Sequence, residues 1–233
     1  MYPLKIPQYK KHLINKVIKP LFKESGFLVS GLHWRKNEPG FTKIFNIQLS
    51  QFNTPESFQF YINIGLFFPH SYRLSFTSKF WGGEMPEIPT SPKIQNCQFA
   101  KRDQAIFGRN RDYSFSRNTD RVGFEKLILE DVENEYLPFL EGLDSLDSCR
   151  SFLNGFYGGY QYDYHIALGM VALGRTSEAK VMIDNIISLK KPPEEFLIVL
   201  NEELGKLGLD FNLPLEKKDS NDGNIDFSKG SYP

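Results

Sequence analysis

The stretch FTKIFNIQLSQFNTPESFQFYINIGLFF, residues 41–68, decides the fold of this chain. Apolar and polar side chains alternate over residues 43–50 and again over residues 58–66, with a loop containing Pro55 between the two runs. Strict alternation is typical of a strand that buries one of its faces. A short polar connection between two such strands favours antiparallel pairing. The sequence therefore predicts two neighbouring antiparallel strands, each with an apolar face and a polar face.

An amphipathic helix and a weaker strand precede this pair. Over residues 9–25 the apolar side chains recur at helical spacing, and lysines occupy the other faces. Pro20 either kinks this helix or begins its last turn, and Gly26 is suited to end it. A third strand is predicted over residues 27–35. A helix followed by three strands predicts a meander with the helix across one face.

The second half of the chain changes to a helical pattern. Residues 69–120 are broken by prolines and glycines, and short strands are predicted there at residues 93–101 and 112–116. Beyond this stretch the apolar residues recur at helical spacing. The predicted helices cover residues 120–140, 145–153, 163–173, 177–189 and 193–207. From residue 216 onward the chain is polar, and we expect disorder there.

The net charge changes sign near residue 121, where the hydrophobic pattern becomes helical. Residues 1–121 carry 18 Lys and Arg against 8 Asp and Glu, a net charge of +10, and residues 122–214 carry 7 against 16, a net charge of −9. Opposite net charges on adjoining units attract each other. We therefore predict an α+β fold with three parts: a basic unit at 1–119 made of a helix on an antiparallel sheet, an acidic all-helical unit at 120–214 packed on it, and a disordered tail at 215–233.

Four segments of the first third of the chain occur in an order that is typical of a known family. IKPLFKESGF at 18–27 is followed by HWRK at 33–36, by FNIQLSQFN at 45–53 and by FQFYINIG at 58–65. Over about residues 10–68 this order resembles the domain of unknown function 4304 family. The resemblance implies an uncharacterised bacterial protein, and it implies no activity because the family has none assigned.

A second resemblance lies among the predicted helices. Residues 163–192 are similar to a single tetratricopeptide hairpin, with small side chains at Ala167, Gly169, Ala172 and Ala179 that let two helices approach closely. Only one copy is present, whereas repeat arrays usually need three. An ordinary antiparallel helix pair accounts for the same pattern and is favoured.

Composition narrows the class of protein further. The chain has 233 residues, of which 40% are hydrophobic and 15% aromatic, as is typical of a globular protein with a large core. Cys97 and Cys149 form neither a disulfide framework nor a metal site, and the four histidines lack metal-ligand spacing. No signal peptide or membrane span is recognisable. We therefore expect a cytoplasmic protein without cofactor, metal or membrane contact.

Candidate binding residues are few, and no catalytic residue is assigned. A Trp in a Gly-rich loop is suited to anchoring a partner, and arginines interleaved with aromatic residues are typical of nucleic-acid contacts. The near-neutral chain favours pairing of these arginines with the acidic helices instead, so nucleic acid is not favoured as a partner. The candidate residues are Trp34, Gln48, Asn63, Trp81, Arg109, Arg111 and Arg117.

Three functional hypotheses stay open from the sequence. The leading one is a non-enzymatic protein-binding protein, of which immunity proteins of secreted toxins are one class. The second is an enzyme of unknown class with a polar pocket formed by Trp34, Gln48, Asn63 and residues 109–121. The third is a scaffold whose helical hairpin docks a peptide. Oligomeric state and partner identity do not follow from the sequence.

Overall fold

Six strands form one antiparallel sheet, and this confirms the predicted α+β class. The computed structural model describes residues 5–76, 86–109, 112–157 and 162–209. The strands pair in the order β1–β2–β3–β4, and β5 and β6 both pair with the remaining side of β4, one at each end. The strands are β1 Leu28–Ser30, β2 His33–Glu38, β3 Phe41–Leu49, β4 Ser57–Phe67, β5 Phe99–Arg102 and β6 Tyr113–Ser116.

Helices precede, interrupt and follow the sheet. Two of them, α1 and α3, are each built of an α-helical, a π-helical and a second α-helical segment. The helices are α1 (Ile6–His12, Leu13–Ile18, Lys19–Glu24), α2 (Asp103–Phe107), α3 (Arg121–Asp131, Val132–Tyr136, Leu137–Gly142), α4 (Leu146–Tyr157), α5 (Asp163–Ala172), α6 (Thr176–Lys190) and α7 (Glu194–Lys206). Short 3₁₀ segments lie at Pro69–Phe76 and Ile94–Asn96. None of the described helices is long and apolar enough to cross a bilayer.

The spacing of the buried apolar residues of α1 changes where the helix changes from α-helical to π-helical. Its buried side chains are Ile6, Tyr9, Leu13, Ile18 and Phe22, which are separated by three, four, five and four residues. Steps of three and four keep side chains on one face of an α-helix. The single step of five falls on the π-helical turn, whose hydrogen bonds span five residues instead of four. The π turn therefore keeps all five side chains on the sheet.

A proline follows each of the two π turns. Pro20 and Pro138 lie in the first turn of the α-helical segment that comes next. Proline lacks the amide hydrogen, and its ring clashes with the carbonyl four residues earlier in an α-helix. A wider turn moves that carbonyl away from the ring. Of the two alternatives predicted for Pro20, it begins the last segment of α1.

One face of the sheet is apolar and lies beneath α1 and α3. Trp34, Phe45 and Phe60 on this face have at most 1% of their surface exposed. The ring of Phe45 lies 4.3 Å from that of Phe22 in α1 and 5.5 Å from that of Tyr136 in α3. By packing, α3 thus belongs with the sheet, although its charge groups it with the acidic helices. The division of the chain into units at residues 119 and 120 stays a prediction.

A charged side chain also lies beneath the helices. Lys43 of β3 is 1% exposed, and its Nζ lies 2.6 Å from Oε1 of Glu38 at the end of β2. An unpaired buried ammonium group would be strongly unfavourable, and the ion pair offsets that desolvation. The pair therefore makes a lysine compatible with the apolar face.

Helices α4–α7 extend the same helical layer beyond α3. Their apolar side chains form one cluster with Leu66 of β4 and Phe99 of β5, and the ring of Phe99 meets that of Phe152 in α4 edge-on at 5.4 Å. Arg73 binds Glu203 of α7 at 2.8 Å. Because Glu203 is buried, the cost of removing its charge from water offsets much of the attraction in this ion pair, whereas burial of one large apolar side chain contributes about 1.5–3 kcal/mol. Apolar contacts therefore dominate this packing, and the opposite charges add to it.

The other face of the sheet is covered at one end by the segment that precedes β5. Ile94 and Cys97 pack on Gly65 of β4, with Ile44 and Phe67 in the same small cluster. A Cβ atom at Gly65 would lie 2.6 Å from Cys97 Sγ and 2.8 Å from Ile94 Cδ1. Because these distances are shorter than any real carbon contact, only glycine lets the segment approach this closely.

Two predicted strands differ from the structure. The prediction of a strand over residues 93–101 was wrong in its first half, because the Asn96 amide donates to the Lys93 carbonyl at 2.9 Å and closes a 3₁₀ turn. The strand predicted over residues 27–35 is the hairpin of β1 and β2, where Gly31 turns the chain at φ +61°. The remaining helix and strand predictions are confirmed within a few residues. The predicted disordered tail lies outside the described residues.

Replacing Gly65 with alanine should destabilise the protein by about 1–3 kcal/mol, because the added methyl overpacks the contact with Ile94 and Cys97. Urea denaturation followed by circular dichroism measures the change. Gly155→Ala in α4 is the matched control, since a Cβ atom there meets nothing within 4 Å. That variant should be unchanged or slightly more stable. Equal stability of the two variants would contradict the packing described here.

Candidate functional site

The uncovered part of the second sheet face carries a row of polar side chains that crosses five strands. The pairing registers place one residue of each strand from β1 to β5 side by side, and two more residues of β3 and β4 form a second row beside them. Paired residues in neighbouring strands point to the same side of a sheet. We define the polar face as Ser30, His33, Asn46, Asn63, Arg102, Gln48 and Tyr61.

Side-chain amides connect the centre of the polar face. Asn63 Nδ2 donates hydrogen bonds to Asn46 Oδ1 at 3.0 Å and to Gln48 Oε1 at 3.2 Å. Asn46 Nδ2 in turn donates to the Leu32 carbonyl at 3.0 Å. Each amide thus fixes the orientation of the next, and the row presents a fixed pattern of hydrogen-bonding groups.

An arginine lies flat against the edge of this row. The guanidinium carbon of Arg102 is 4.1 Å from the ring centroid of Tyr61. Arg102 is exposed and Tyr61 is half-buried. Stacking on an aromatic ring stabilises the cation and leaves its N–H groups free for in-plane hydrogen bonds. Arginine and tyrosine are also the residue types that most often dominate the energy of protein interfaces.

His33 adds an unpaired ring nitrogen to the polar face. Its Nε2 is buried and has no hydrogen-bond partner among the described residues. Burial, followed by the positive charge of Lys93, lowers the pKa of His33 below 6.5. A lower pKa favours the neutral imidazole at pH 7.

The structure separates the residues that the sequence analysis grouped in one pocket. Gln48 and Asn63 lie on the polar face, but Trp34 is fully buried on the opposite face, against Phe22 and Phe45. The enzyme hypothesis therefore loses the pocket it was built on. Its remaining basis is the polar face itself.

The other candidates lie elsewhere. Arg117 is largely exposed at the end of β6 and lies 3.4 Å from Glu56. Arg109 is largely buried and serves a charge cluster described below. Trp81 and Arg111 lie outside the described residues.

Sequence reasoning missed four members of the polar face: Ser30, His33, Tyr61 and Arg102. The alternation within β3 and β4 indicated Asn46 and Gln48 directly. The others become neighbours only through the registers of the paired strands. No pattern within a single strand carries that information.

A buried chain of four oxygen atoms lies beneath α2 and β6. The Tyr136 hydroxyl is 2.6 Å from Asp103 Oδ2 and 2.5 Å from the Tyr113 hydroxyl, which is 2.7 Å from Asp131 Oδ2. Arg109 Nη1 lies 3.0 Å from Asp131 Oδ1, and the guanidinium packs between rings, including that of Tyr136. All four oxygen-bearing side chains are buried.

Burial disfavours a charge on the carboxyl of this chain that has no ion pair. Arg109 pairs with Asp131. Burial raises the pKa of Asp103, and the hydrogen bond that Tyr136 donates to it opposes this only in part. Tyr113 donates to Asp131, and the two hydroxyl groups contact each other.

Asp103→Asn should remove a pH dependence of stability, because an amide bonds Tyr136 without holding a titratable proton. The raised pKa of Asp103 stabilises the folded state at low pH, and this contribution is lost as pH rises from about 4 towards the folded pKa. The wild type should therefore lose up to about 1.4 kcal/mol per pH unit relative to the variant. Urea denaturation between pH 4.5 and 8 measures this difference.

Stability also changes with pH because of His165, in the opposite direction, and comparison with the Asp103→Asn variant removes that contribution. Burial lowers the pKa of His165 to about 3, so its contribution is lost as pH falls below 6.5. That slope is the same in both proteins and cancels in the difference. Asp184→Asn, at an exposed position of α6, should leave the pH profile unchanged. A difference between wild type and Asp103→Asn that stays constant with pH would contradict a raised pKa of Asp103 in the folded state.

Among the described residues, no group of three or more His, Cys, Asp or Glu side chains is arranged to hold a metal ion. Cys97 and Cys149 are both free thiols, and burial raises the pKa of each. Low-pKa, accessible thiolates are the reactive form of cysteine. Neither thiol therefore has the character of a nucleophile.

Comparison with known proteins gives one match. A family model described as Domain of unknown function (DUF4304) matches residues 18–142, just over half of the chain. The matched region runs from the end of the π turn of α1 to the end of α3, and it contains the polar face and the buried oxygen chain. No curated protein and no solved structure matches the chain significantly. The resemblance predicted over residues 10–68 is confirmed and extends further along the chain.

Proposed function

The chain belongs to the DUF4304 family, and we propose that it is a non-enzymatic protein of the bacterial cytoplasm that binds another protein through the polar face. The observation that carries the proposal is Arg102 stacked on Tyr61 beside the linked amides of Asn46, Gln48 and Asn63. This arrangement combines a rigid hydrogen-bonding pattern with the residue types that anchor protein interfaces.

The shape of the polar face favours a protein over a small molecule. Cavities of about 630, 400 and 250 Å³ are lined entirely by residues outside the polar face. Small ligands are usually held in concave sites that bury most of their surface. A row that spans five strands suits the wide contact of a protein interface.

The charge of the polar face indicates the kind of partner. Arg102 is exposed on it, Arg35 lies beside it on β2, and Lys93 lies close enough to His33 to lower its pKa. The described side chains of the polar face include no carboxylate. Complementary charge favours correct pairing and speeds association. We therefore propose a partner with an acidic surface, and a toxin held by an immunity protein is one such partner.

Two alternatives stay as proposals of lower rank. An enzyme acting on the polar face would use His33, the residue type that most often serves as a general acid or base. A peptide-docking scaffold would use the hairpin of α5 and α6, where Gly174 turns the chain at φ +78°. The polar face is preferred because its groups are already ordered by one another.

A photo-crosslinking amino acid placed at exposed Gln48 should capture one acidic protein in cells of the source organism. The same amino acid at Lys126, which is exposed on α3 away from the sheet, is the control position. Capture at position 48 should be lost when Arg102→Glu is added, because the charge reversal repels an acidic surface. Mass spectrometry of the crosslinked product identifies the partner.

Binding of the purified pair should then weaken at least about tenfold in Arg102→Ala and remain unchanged in Lys126→Ala, as measured by calorimetry. Both residues are exposed, so both variants should unfold at the wild-type temperature. Equal affinity of the two variants, or the same product captured at both positions, would rule out the polar face as the binding surface.

A further inference from the structure

A cavity of about 630 Å³ lies between the start of α1, the loop before β4 and the turn that joins β6 to α3. Its volume is within the range of about 300–1,000 Å³ that is typical of small-molecule sites. None of its lining residues belongs to the polar face or to the buried oxygen chain. The cavity is therefore a separate feature of the fold.

The floor of the cavity is apolar and already fixed. Ile6, Tyr9 and Phe115 line it, and each is at most 8% exposed. The rings of Tyr9 and Phe115 lie 4.3 Å apart, and Phe58 of the core packs against both. Because these side chains are held by the core, a flat apolar group can enter without rearranging them.

The rim of the cavity is mainly cationic. Lys5, Arg117 and Arg121 line it together with a single carboxylate, that of Glu56. Glu56 is 3.4 Å from Arg117, and the guanidinium of Arg121 lies 4.6 Å above the ring of Tyr9. Three cations against one anion leave an excess of positive charge at the mouth.

The cations differ in how far they are already neutralised. Arg121 Nε lies 3.1 Å from Glu125, whereas no carboxylate of the described residues is within ion-pair distance of Lys5. Arg117 keeps most of its side chain in solvent, with 73% exposed. Lys5 and Arg117 are thus the groups available to an incoming anion.

We infer that this cavity binds a small organic anion, whose apolar body packs on the apolar lining at Ile6, Phe115 and Pro55 and whose carboxylate or phosphate meets Lys5 and Arg117. Because that lining is apolar, an inorganic anion alone should fill the site poorly. Because the rim is cationic, a neutral molecule of the same shape should bind less well. This site does not depend on the proposed function, because it shares no residue with the polar face.

Calorimetric titration of the full chain tests the inference with three probes of one shape: 1-naphthoate, 1-naphthyl phosphate and 1-naphthalenemethanol. At least one of the two anions should bind about tenfold or more tightly than the neutral alcohol. The tighter anion identifies whether a carboxylate or a phosphate is preferred. Amide chemical shifts should change around the cavity and stay unchanged on the polar face. Equal binding of all three probes, or shifts confined to another surface, would overturn the inference.

Variants of exposed residues place the binding in the cavity. Lys5→Ser combined with Arg117→Ser should weaken the anion at least about tenfold and leave the neutral alcohol unaffected. Pro7→Trp, at an exposed lining residue, should block all three probes by filling the mouth. Lys126→Ser is the matched loss of an exposed cation elsewhere and should change nothing. Wild-type affinity in the double variant would disprove the assignment even if Pro7→Trp failed to fold.

Discussion

The contact of Phe45 with two helices at once is the interaction on which the remaining structure depends. Phe45 lies at the centre of β3, where it touches Phe22 of α1 and Tyr136 of α3. The helices described after α3 continue the same layer through Leu66 and Phe99. With the helical layer on one side, the described residues cover the other side of the sheet near Gly65. An antiparallel sheet that is solvated on one face tolerates polar side chains there, and the polar face occupies that area.

The sequence predicted the elements of the fold well because hydrophobic period is a local property. The alternation in β3 and β4, the stripe of α1 and the long helical pattern of α3 can each be read within about twenty residues. Pairing is not local. Arg102 reaches the polar face because β5 pairs with β4 in one particular register, and Asp103, Tyr113, Asp131 and Tyr136 meet although their own segments show no shared pattern. Asp131 of the acidic helix α3 is buried, and Arg109 and Tyr113 bind it there.

Two neighbouring residues connect the polar face with the buried oxygen chain. Arg102 is the last residue of β5 and stacks on Tyr61, and Asp103 is the first residue of α2 and bonds Tyr136 on the opposite side. The hydrogen bond from Tyr136 to the Asp103 carboxyl holds the chain at the point where strand changes to helix. The position of the exposed arginine is therefore supported from below by a buried hydrogen bond.

The π turn of α1 rotates the side chains of the first α-helical segment relative to those of the last. Each residue of an α-helix advances the side chains by about 100°, so one extra residue in the turn rotates Ile6–His12 by that angle relative to Lys19–Glu24. This rotation brings Tyr9 onto Phe115 while Phe22 stays on Phe45. The two ends of one helix can thus serve different neighbours: the first completes the wall of the cavity, and the second closes the core. Loss of a single residue from the turn would shorten the helix very little. It would nevertheless prevent Tyr9 from contacting Phe115 while Phe22 contacts Phe45.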